Sequence, residues 1–526
     1  MIERTIIPGP PGTGKTYRLV NTYLKKEKEE YNTPLKKIGF FTFSKNASEI
    51  TKKRTIKFFP TVDWDKDLDY FSTLHALGKR ECGLETKTQL LKGDKWNAFR
   101  NYDTFAGTLN FETYYIGDQV FHKNEYMKLI DLARARKISL SNQYNLQEHT
   151  KDISYQDLDY LYRALIKFKN KTGMFEFIDM ILTLIDKYKN DEKYKKPVLD
   201  AIFLDEAQDL NNLQWELFHC LEANAKRSYI AGDDDQAIML FQGANPAHFI
   251  KLHDDKNTTV DKSLIKSQRV PRRVLNLAKQ ILNKIPSKER VPKDWEPRDF
   301  EGTVTWVSNY EHIDYSKGQW MIMTRTNKML DPLKDFFEDK GFYYGSKHGN
   351  DLISQNLLEA INIWKKLNKG EPVQAKQAKK LYTYMTCKGK KIAKNFGKGI
   401  TLNPILENLV NMEDLRNHHG LLATGSWDQA FDTKISSKKK EFILTLQRNG
   451  ENLSPTAEPR IKLSTIHGSK GDERQNTVLM LDIDYNSFNA YQEDPNPEHR
   501  LFFVGITRTF ENLYIVNQSG EYGYQI

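Results

Sequence analysis

Cysteine is scarce in this chain: Cys82, Cys220 and Cys387 are the only three in 526 residues. They lie far apart and are odd in number, which excludes a disulfide framework and a four-cysteine zinc or iron–sulfur site. Long apolar runs are missing too, none approaching the roughly 18 residues that a membrane helix needs. The N-terminal Met1-Ile2-Glu3-Arg4 lacks the apolar core of a signal peptide. No period of roughly 20–50 residues repeats, so a solenoid or propeller is excluded. The expectation is an intracellular protein, cytoplasmic or nucleoid-associated, with no membrane attachment. At 39% hydrophobic and 28% charged residues the composition suits a large globular protein and not a disordered one.

The net charge of +10 over 526 residues is a mild excess. It permits a polyanionic partner without demanding one. Lys388, Lys390, Lys391, Lys394 and Lys398 form one basic cluster and Lys438-Lys439-Lys440 another. The plain reading of each is a solvated surface. Aromatic residues are plentiful, with 26 Tyr and 28 Phe, so stacking faces for bases are available.

Four short apolar runs predict buried parallel strands: Ile38 to Phe43, Ala201 to Leu204, Trp320 to Met323 and Val478 to Leu481. Helical patterns such as Leu213 to Leu221 and Val274 to Ile285 lie between them. Strands alternating with helices predict an α/β fold with parallel sheets. The strands fall into two groups, which divides the chain into one domain of residues 1–84 plus 196–265 and a second of 266–345 plus 458–526. The Lys-rich, mostly helical segments 85–195 and 346–457 read as insertions into these domains.

Gly9-Pro10-Pro11-Gly12-Thr13-Gly14-Lys15-Thr16 fits the phosphate-loop pattern, with a β-like Thr5-Ile6-Ile7 before it and a helix-compatible run from Tyr17 after it. The glycines let backbone N–H groups converge on phosphate oxygens, and the helix N-terminus adds positive potential. Lys15 would reach the β/γ-phosphates and the Thr16 hydroxyl would ligate Mg²⁺. A second half of the site follows Ala201-Ile202-Phe203-Leu204 as Asp205-Glu206-Ala207-Gln208-Asp209. Asp205 at the strand end suits Mg²⁺, and Glu206 suits orienting and deprotonating the attacking water. Alone, such a carboxylate pair is an exposed turn; behind a buried strand in a phosphate-loop chain it reads as catalytic.

Further motifs follow in order. They are Thr42-Phe43-Ser44-Lys45-Asn46-Ala47, Ser72-Thr73-Leu74-His75, Gly232-Asp233-Asp234-Asp235-Gln236 and Phe241-Gln242-Gly243-Ala244. Ser267-Gln268-Arg269, Arg325-Thr326-Asn327, Thr465-Ile466-His467-Gly468-Ser469-Lys470-Gly471-Asp472-Glu473 and Phe503-Val504-Gly505-Ile506-Thr507-Arg508 complete the set. Taken together and in this order, they resemble the superfamily 1 DNA helicases of the UvrD/Rep/PcrA type, across both motor domains but not the two insertions.

The resemblance implies two RecA-like domains with ATP in the cleft between them. Lys15, Glu206 and Gln236 would act with Arg269 and Arg508, the two arginines neutralising charge on the transferring phosphoryl group. Gly9 to Thr16, Tyr17 and Glu473 would bind the nucleotide. Phe43 and Phe241 are implied base-stacking residues, although core packing is the plain alternative for each. Thr73, His75, Arg325, Asn327 and Thr465 are the candidates for phosphate or sugar contacts. The implied activity is ATP-dependent 3′→5′ movement on single-stranded DNA with unwinding of duplex. ATP and Mg²⁺ are the cofactors, single-stranded DNA and DNA junctions the partners, and a monomer the state in isolation.

The sequence departs from the family at several points. No glutamine precedes Gly9 to read adenine, and Gln268 stands where the family carries an adenine-stacking tyrosine. Tyr17 or Arg18 is the substitute stacking candidate. Met239 and Gln242 replace a tyrosine and an arginine. With 18 residues after Arg508 the expectation is that no C-terminal nuclease is fused. Two competing readings are an RNA helicase of the Upf type and a protein remodeller of the AAA+ type. The Lys470 to Glu473 and Val504 to Arg508 segments disfavour the first. The two arginines in a second α/β domain disfavour the second.

Overall fold

A computed structural model describes residues 2–84, 88–116, 119–146, 153–346, 353–396, 409–454 and 458–526. Two compact units result, one of Met1–Val304 with Asn486–Glu511, the other of Thr305–Tyr485 with Asn512–Gln525. The architecture is α/β, with two six-stranded sheets of the RecA-like kind.

The first unit is built on β1 (Glu3–Pro8), β2 (Ile38–Phe41), β3 (Phe71–Ser72), β4 (Ala201–Leu204), β5 (Arg227–Gly232) and β6 (Thr258–Val260). Their order across the sheet is β3-β2-β4-β5-β1-β6, and all neighbours pair in parallel. Every residue of β2 and β4 is buried, as helices on both faces of a parallel sheet require. Strand β2 stops at Phe41, two residues short of the apolar run. There the Thr42 hydroxyl turns to the Ser44 carbonyl (2.9 Å) and Ser44 caps the helix Lys45–Phe58, so Phe43 leaves the sheet. The parallel order sends every strand-end loop to one edge, where ligands of such sheets bind.

In the second unit, β7 (Thr303–Val307), β8 (Trp320–Thr324), β9 (Tyr344–Ser346), β10 (Ile461–Thr465), β11 (Arg474–Met480) and β12 (Thr509–Val516) take the order β9-β10-β8-β11-β12-β7. Strands β9, β10, β8 and β11 run parallel. Strand β11 begins four residues before the apolar stretch at Val478, because its polar start pairs with β8, Asn476 opposite Trp320.

The described residues of segment 85–195 are mostly helical, with an antiparallel hairpin of Thr113–Ile116 and Gln119–His122. Its helix Tyr155–Thr172 buries Leu158, Leu161, Leu165 and Phe168, a stripe at helical spacing that faces Phe99 and Trp96. The described residues of segment 346–457 pack around Trp364, Leu367 and Phe431. Here Lys388, Lys390 and Lys394 are exposed, and Lys398 lies outside the described residues. Lys440 is not merely solvated: its ammonium donates to the carbonyls of Asp428 (2.5 Å) and Phe431, at the end of helix Trp427–Ala430.

One close approach anchors the first unit. Gly78, in helix Leu74–Glu81, lies so near helix Phe177–Asn190 that a Cβ would sit 2.4 Å from the Met180 carbonyl oxygen. Gly78→Ala should therefore cost about 1–3 kcal/mol by forcing these helices apart. The measurement is the thermal unfolding midpoint, and an unchanged midpoint would refute the contact.

Candidate nucleotide site and strand-contact residues

The phosphate loop leaves β1 and runs into the helical turn Lys15–Arg18. Thr13 closes it by donating from Oγ1 to the Pro10 carbonyl (2.8 Å), and Lys15 Nζ donates to the Gly9 carbonyl (2.8 Å). The segment Ser267-Gln268-Arg269 lies directly on the loop. Ser267 Oγ donates to the Pro11 carbonyl (2.9 Å) and the Gln268 N–H to the Gly12 carbonyl (2.8 Å). Gly12 has φ +77°, and a Cβ there would meet Ser267 Oγ at 2.5 Å and Arg269 Cβ at 2.7 Å. Only glycine satisfies both the left-handed backbone and the contact.

Asp205 and Glu206 follow β4 beneath the loop. Thr16 Oγ1 donates to Asp205 Oδ2 at 2.6 Å. Burial, and then the neighbouring Glu206 charge, push the Asp205 carboxyl up to about 6; Thr16 and Lys15 oppose the shift. A buried hydroxyl–carboxylate pair with raised pKa fits a hard divalent cation that takes its remaining ligands from phosphate and water. The donor set is therefore compatible with Mg²⁺. Among the described residues no group of three or more His, Cys, Asp or Glu side chains forms a protein-only metal cage.

Glu206 holds a left-handed backbone, φ 56° and ψ 44°, which costs a non-glycine residue of order 1–3 kcal/mol. Its side chain starts a chain of hydrogen bonds. Gln208 Nε2 donates to Glu206 Oε2 (2.6 Å), and Gln208 Oε1 accepts the Asp233 N–H (2.9 Å). Gln236 Nε2 donates to Asp233 Oδ2 (2.7 Å). Arg508 Nη2, at the end of the buried helix Asn496–Ile506, donates to Gln236 Oε1 (2.7 Å). Glu206, Gln236 and Arg508 thus share one network, in the same compact unit as Arg269. Tyr17 is 61% exposed beside the loop. Arg18 is held away by Asp261, its Nε 2.9 Å from Oδ2, which leaves Tyr17 as the available stacking face.

Asp233, Asp234 and Asp235 are almost fully buried, and their counter-charges come from a distant segment. Lys293 Nζ donates to Asp233 Oδ1 (2.7 Å) and Asp234 Oδ1 (2.5 Å) and lies 2.9 Å from Asp235 Oδ2. Arg290 clamps Asp235 from Nε (2.5 Å) and Nη2 (3.0 Å). Burial raises Asp234 above the usual carboxylate range against the pull of Lys293. In Asp235 burial is outweighed by Lys293 and Arg290, and its pKa falls. Lys293 itself is destabilised by burial but raised overall by the three carboxylates. Nothing in the local pattern around Arg290 and Lys293 marks them. The available signal is three consecutive carboxylates behind an apolar strand, which demand buried cations.

The strand-contact candidates divide between the units. In the first, Phe43 is half-buried, Phe241 is 44% exposed, and Met239 is packed in the core. Thr73 caps helix Leu74–Glu81, accepting the Ala76 N–H at 3.2 Å. His75 is half-buried, and burial drops its pKa to about 4, so at neutral pH it is an uncharged hydrogen-bonding group. In the second unit Arg325 and Asn327 follow β8, half-buried and exposed respectively. Thr465 ends β10, largely buried, and accepts the Gly468 N–H at 3.0 Å. Glu473 directly precedes β11.

A phosphate loop after a parallel strand, with an acidic strand end and a buried arginine joined to it, defines a P-loop nucleoside triphosphatase. Residues 3–257 match the family model described as the UvrD/REP helicase N-terminal domain. The chain is 21% identical to a probable DNA helicase II homolog of Mycoplasma pneumoniae, covering 99% of this chain and 83% of that one. It is 27% identical to the ATP-dependent DNA helicase Rep of Buchnera aphidicola, over 46% of this chain and 37% of the relative. With the ATP-dependent DNA helicase PcrA of Staphylococcus epidermidis it shares 24% identity over 72% of this chain and 64% of the relative. Residues 3–257 thus carry the N-terminal domain of the UvrD/REP helicases, and the chain is similar to the superfamily 1 helicases of the UvrD/Rep/PcrA type, ATP-hydrolysing DNA helicases. Among the described residues no helix is long and apolar enough to cross a membrane.

The charge cluster yields a direct test. Lys293→Met leaves three buried aspartates short of a cation and should cost about 3–5 kcal/mol, as breaking buried ion pairs does. The first thermal transition should fall by many degrees. Wild-type stability in this variant would mean that the carboxylates are not ionised together.

Proposed function

We propose that the chain hydrolyses ATP to move 3′→5′ along single-stranded DNA and to separate duplex ahead of it. The observation that carries this reading is the continuous hydrogen-bond chain from Glu206 through Gln208, Asp233 and Gln236 to Arg508. A base for water, a sensor for the γ-phosphate and a cation for the transferring group are coupled by it, as a motor needs if chemistry is to be felt beyond the nucleotide.

In this reading Gly9 to Gly14 cradle the phosphates and Lys15 meets the β/γ-oxygens. Tyr17 stacks on the base, and Glu473 contributes to nucleotide binding. Thr16 and Asp205 would hold Mg²⁺, which when bound neutralises phosphate charge. Glu206 takes the proton of a water whose oxygen bonds to the γ-phosphorus while the bond to the ADP oxygen breaks. Arg269 and Arg508 stabilise the charge on the equatorial oxygens. Residues 1–84 plus 196–265 and 266–345 plus 458–526 act as the two motor domains, with 85–195 and 346–457 inserted. Phe43 and Phe241 release and regrip bases, and Thr73, His75, Arg325, Asn327 and Thr465 hold sugar and phosphate. The working unit is a monomer that engages single strands and junctions.

Lys15→Ala and Glu206→Gln should each abolish turnover, with Glu206→Gln still binding nucleotide. Arg508→Ala should lower kcat by on the order of 10³-fold with a much smaller change in nucleotide affinity. Steady-state ATPase and nucleotide-binding titrations decide this. Near-normal turnover removes the site, and a loss confined to DNA affinity moves Arg508 to the track.

Direction and polymer are tested separately. ATPase turnover should rise with single-stranded DNA and not with RNA, duplex or no polymer. A partial duplex with a 3′ tail should be unwound and one with only a 5′ tail should not. Phe241→Ala should keep substantial ATPase but lose most unwinding. Preferential RNA stimulation would favour the Upf-type reading, and unwinding from the 5′ tail would reverse the polarity.

A further inference from the structure

The first unit contains a second concavity, an open cavity of about 850 Å³ that shares no lining residue with the phosphate loop. Four helices, the last of them Ala247–Asp254 with His248, and a loop make its wall. Helices Glu125–Arg136 and Phe177–Asn190 bring Arg136, Lys137, Ile138, Tyr188 and Lys189 at or beside their C-terminal ends, and the loop after the second brings Lys196. The third, Asn212–Glu222, runs along it with Glu216, His219 and Cys220. His248 closes the far side through Nε2, 3.1 Å from Asn212 Oδ1.

The electrostatics are one-sided. Four cations, Arg136, Lys137, Lys189 and Lys196, face a single carboxylate, Glu216, which takes both Lys137 and Lys189 as ion-pair partners. Lys196 is exposed, its Nζ 5.9 Å above the Tyr188 ring. The inner surface is apolar in part, with Ile138, Ala223 and the Tyr188 ring, and the imidazoles of His219 and His248 lie against buried Trp215, at 5.6 and 5.3 Å, and 6.4 Å from each other. Tyr188 is 97% buried, and its hydroxyl has no hydrogen-bond partner among the described residues. That hydroxyl is itself shut off from solvent, so Tyr188 gives the cavity its ring and not a polar contact.

A single strand of nucleic acid would need open aromatic faces here, but Trp215 is fully buried and Tyr188 nearly so. Burial holds the Cys220 thiol above its ordinary pKa, which keeps it protonated rather than nucleophilic at neutral pH. A cationic rim around a partly apolar hollow matches a ligand with carboxylates at its edge and an apolar group at its centre, the arrangement that gives a peptide both steering and an anchor. We propose that this cavity docks an acidic peptide segment of a partner protein through one apolar anchor side chain. The proposal is independent of the track and the direction of movement.

The test uses the full chain and fluorescence anisotropy at physiological salt. The probe is a labelled peptide of six aspartates followed by leucine and phenylalanine. Six aspartates alone and a single-stranded oligonucleotide are the comparisons. The anchored peptide should saturate in about the micromolar range, and the plain hexa-aspartate should bind at least about tenfold more weakly. Lys196→Glu, at an exposed position, should weaken the anchored peptide by about tenfold while DNA-stimulated ATPase and oligonucleotide binding stay unchanged. Ile138→Ser should weaken the anchored peptide without changing the hexa-aspartate. No saturable binding, equal binding of both peptides, or insensitivity to both variants would each overturn the proposal. So would equal loss of peptide and oligonucleotide in Lys196→Glu, which would make the face a nucleic-acid surface.

Discussion

Three adjacent carboxylates sit in the dry interior of the first unit because a lysine ammonium lies among them. Lys293 Nζ reaches Asp233, Asp234 and Asp235 at 2.5–2.9 Å, and Arg290 closes the last of the three with two hydrogen bonds. The desolvation penalty of so many charges is offset only by close and complete pairing. The nucleotide-facing side chains depend on this pairing. Asp233 shares its carboxylate between Lys293 and Gln236, and Gln236 shares its amide between Asp233 and Arg508. A shift in the charge cluster is therefore a shift in the proposed sensor and finger.

The same unit concentrates its backbone constraints around the phosphate loop. Gly12 has no room for a side chain because Ser267 and Arg269 press against it. Glu206 keeps a left-handed backbone while its own N–H donates to Asp205 Oδ1 at 3.0 Å. Local strain of this kind persists where surrounding contacts over-determine it, and the Gln208 bridge between Glu206 and Asp233 supplies that determination.

Several hydroxyls in the strand-contact motifs already have a structural task. Thr73 and Thr465 each accept a backbone N–H that would otherwise be unpaired at the start of a helical turn. A hydroxyl that accepts in this way keeps its own hydrogen to donate. Capping and contact with a phosphate oxygen are therefore compatible, and the cap fixes the direction of the Oγ. His75, held neutral by burial, can add a hydrogen bond but not a charge at neutral pH.

The parallel α/β class, the strands at Ile38, Ala201, Trp320 and Val478, and the phosphate loop with Asp205-Glu206 are legible in the sequence. Each is a local signal: a short buried run, a glycine spacing, a carboxylate at a strand end. The ordered motifs likewise disclosed the helicase family, because their residue types recur in contiguous stretches. Short or polar-edged strands such as Phe71–Ser72 and Arg227–Gly232 were not legible, since a strand of two residues has no period and Arg227 begins its strand with a charge. Only the tertiary structure decided which partners meet across the chain. The separations from Asp235 to Arg290, Gln236 to Arg508 and Trp215 to His248 carry no spacing rule. Such contacts are set by how the helices pack on the sheet, and desolvation then makes the paired arrangement of those charges the stable one.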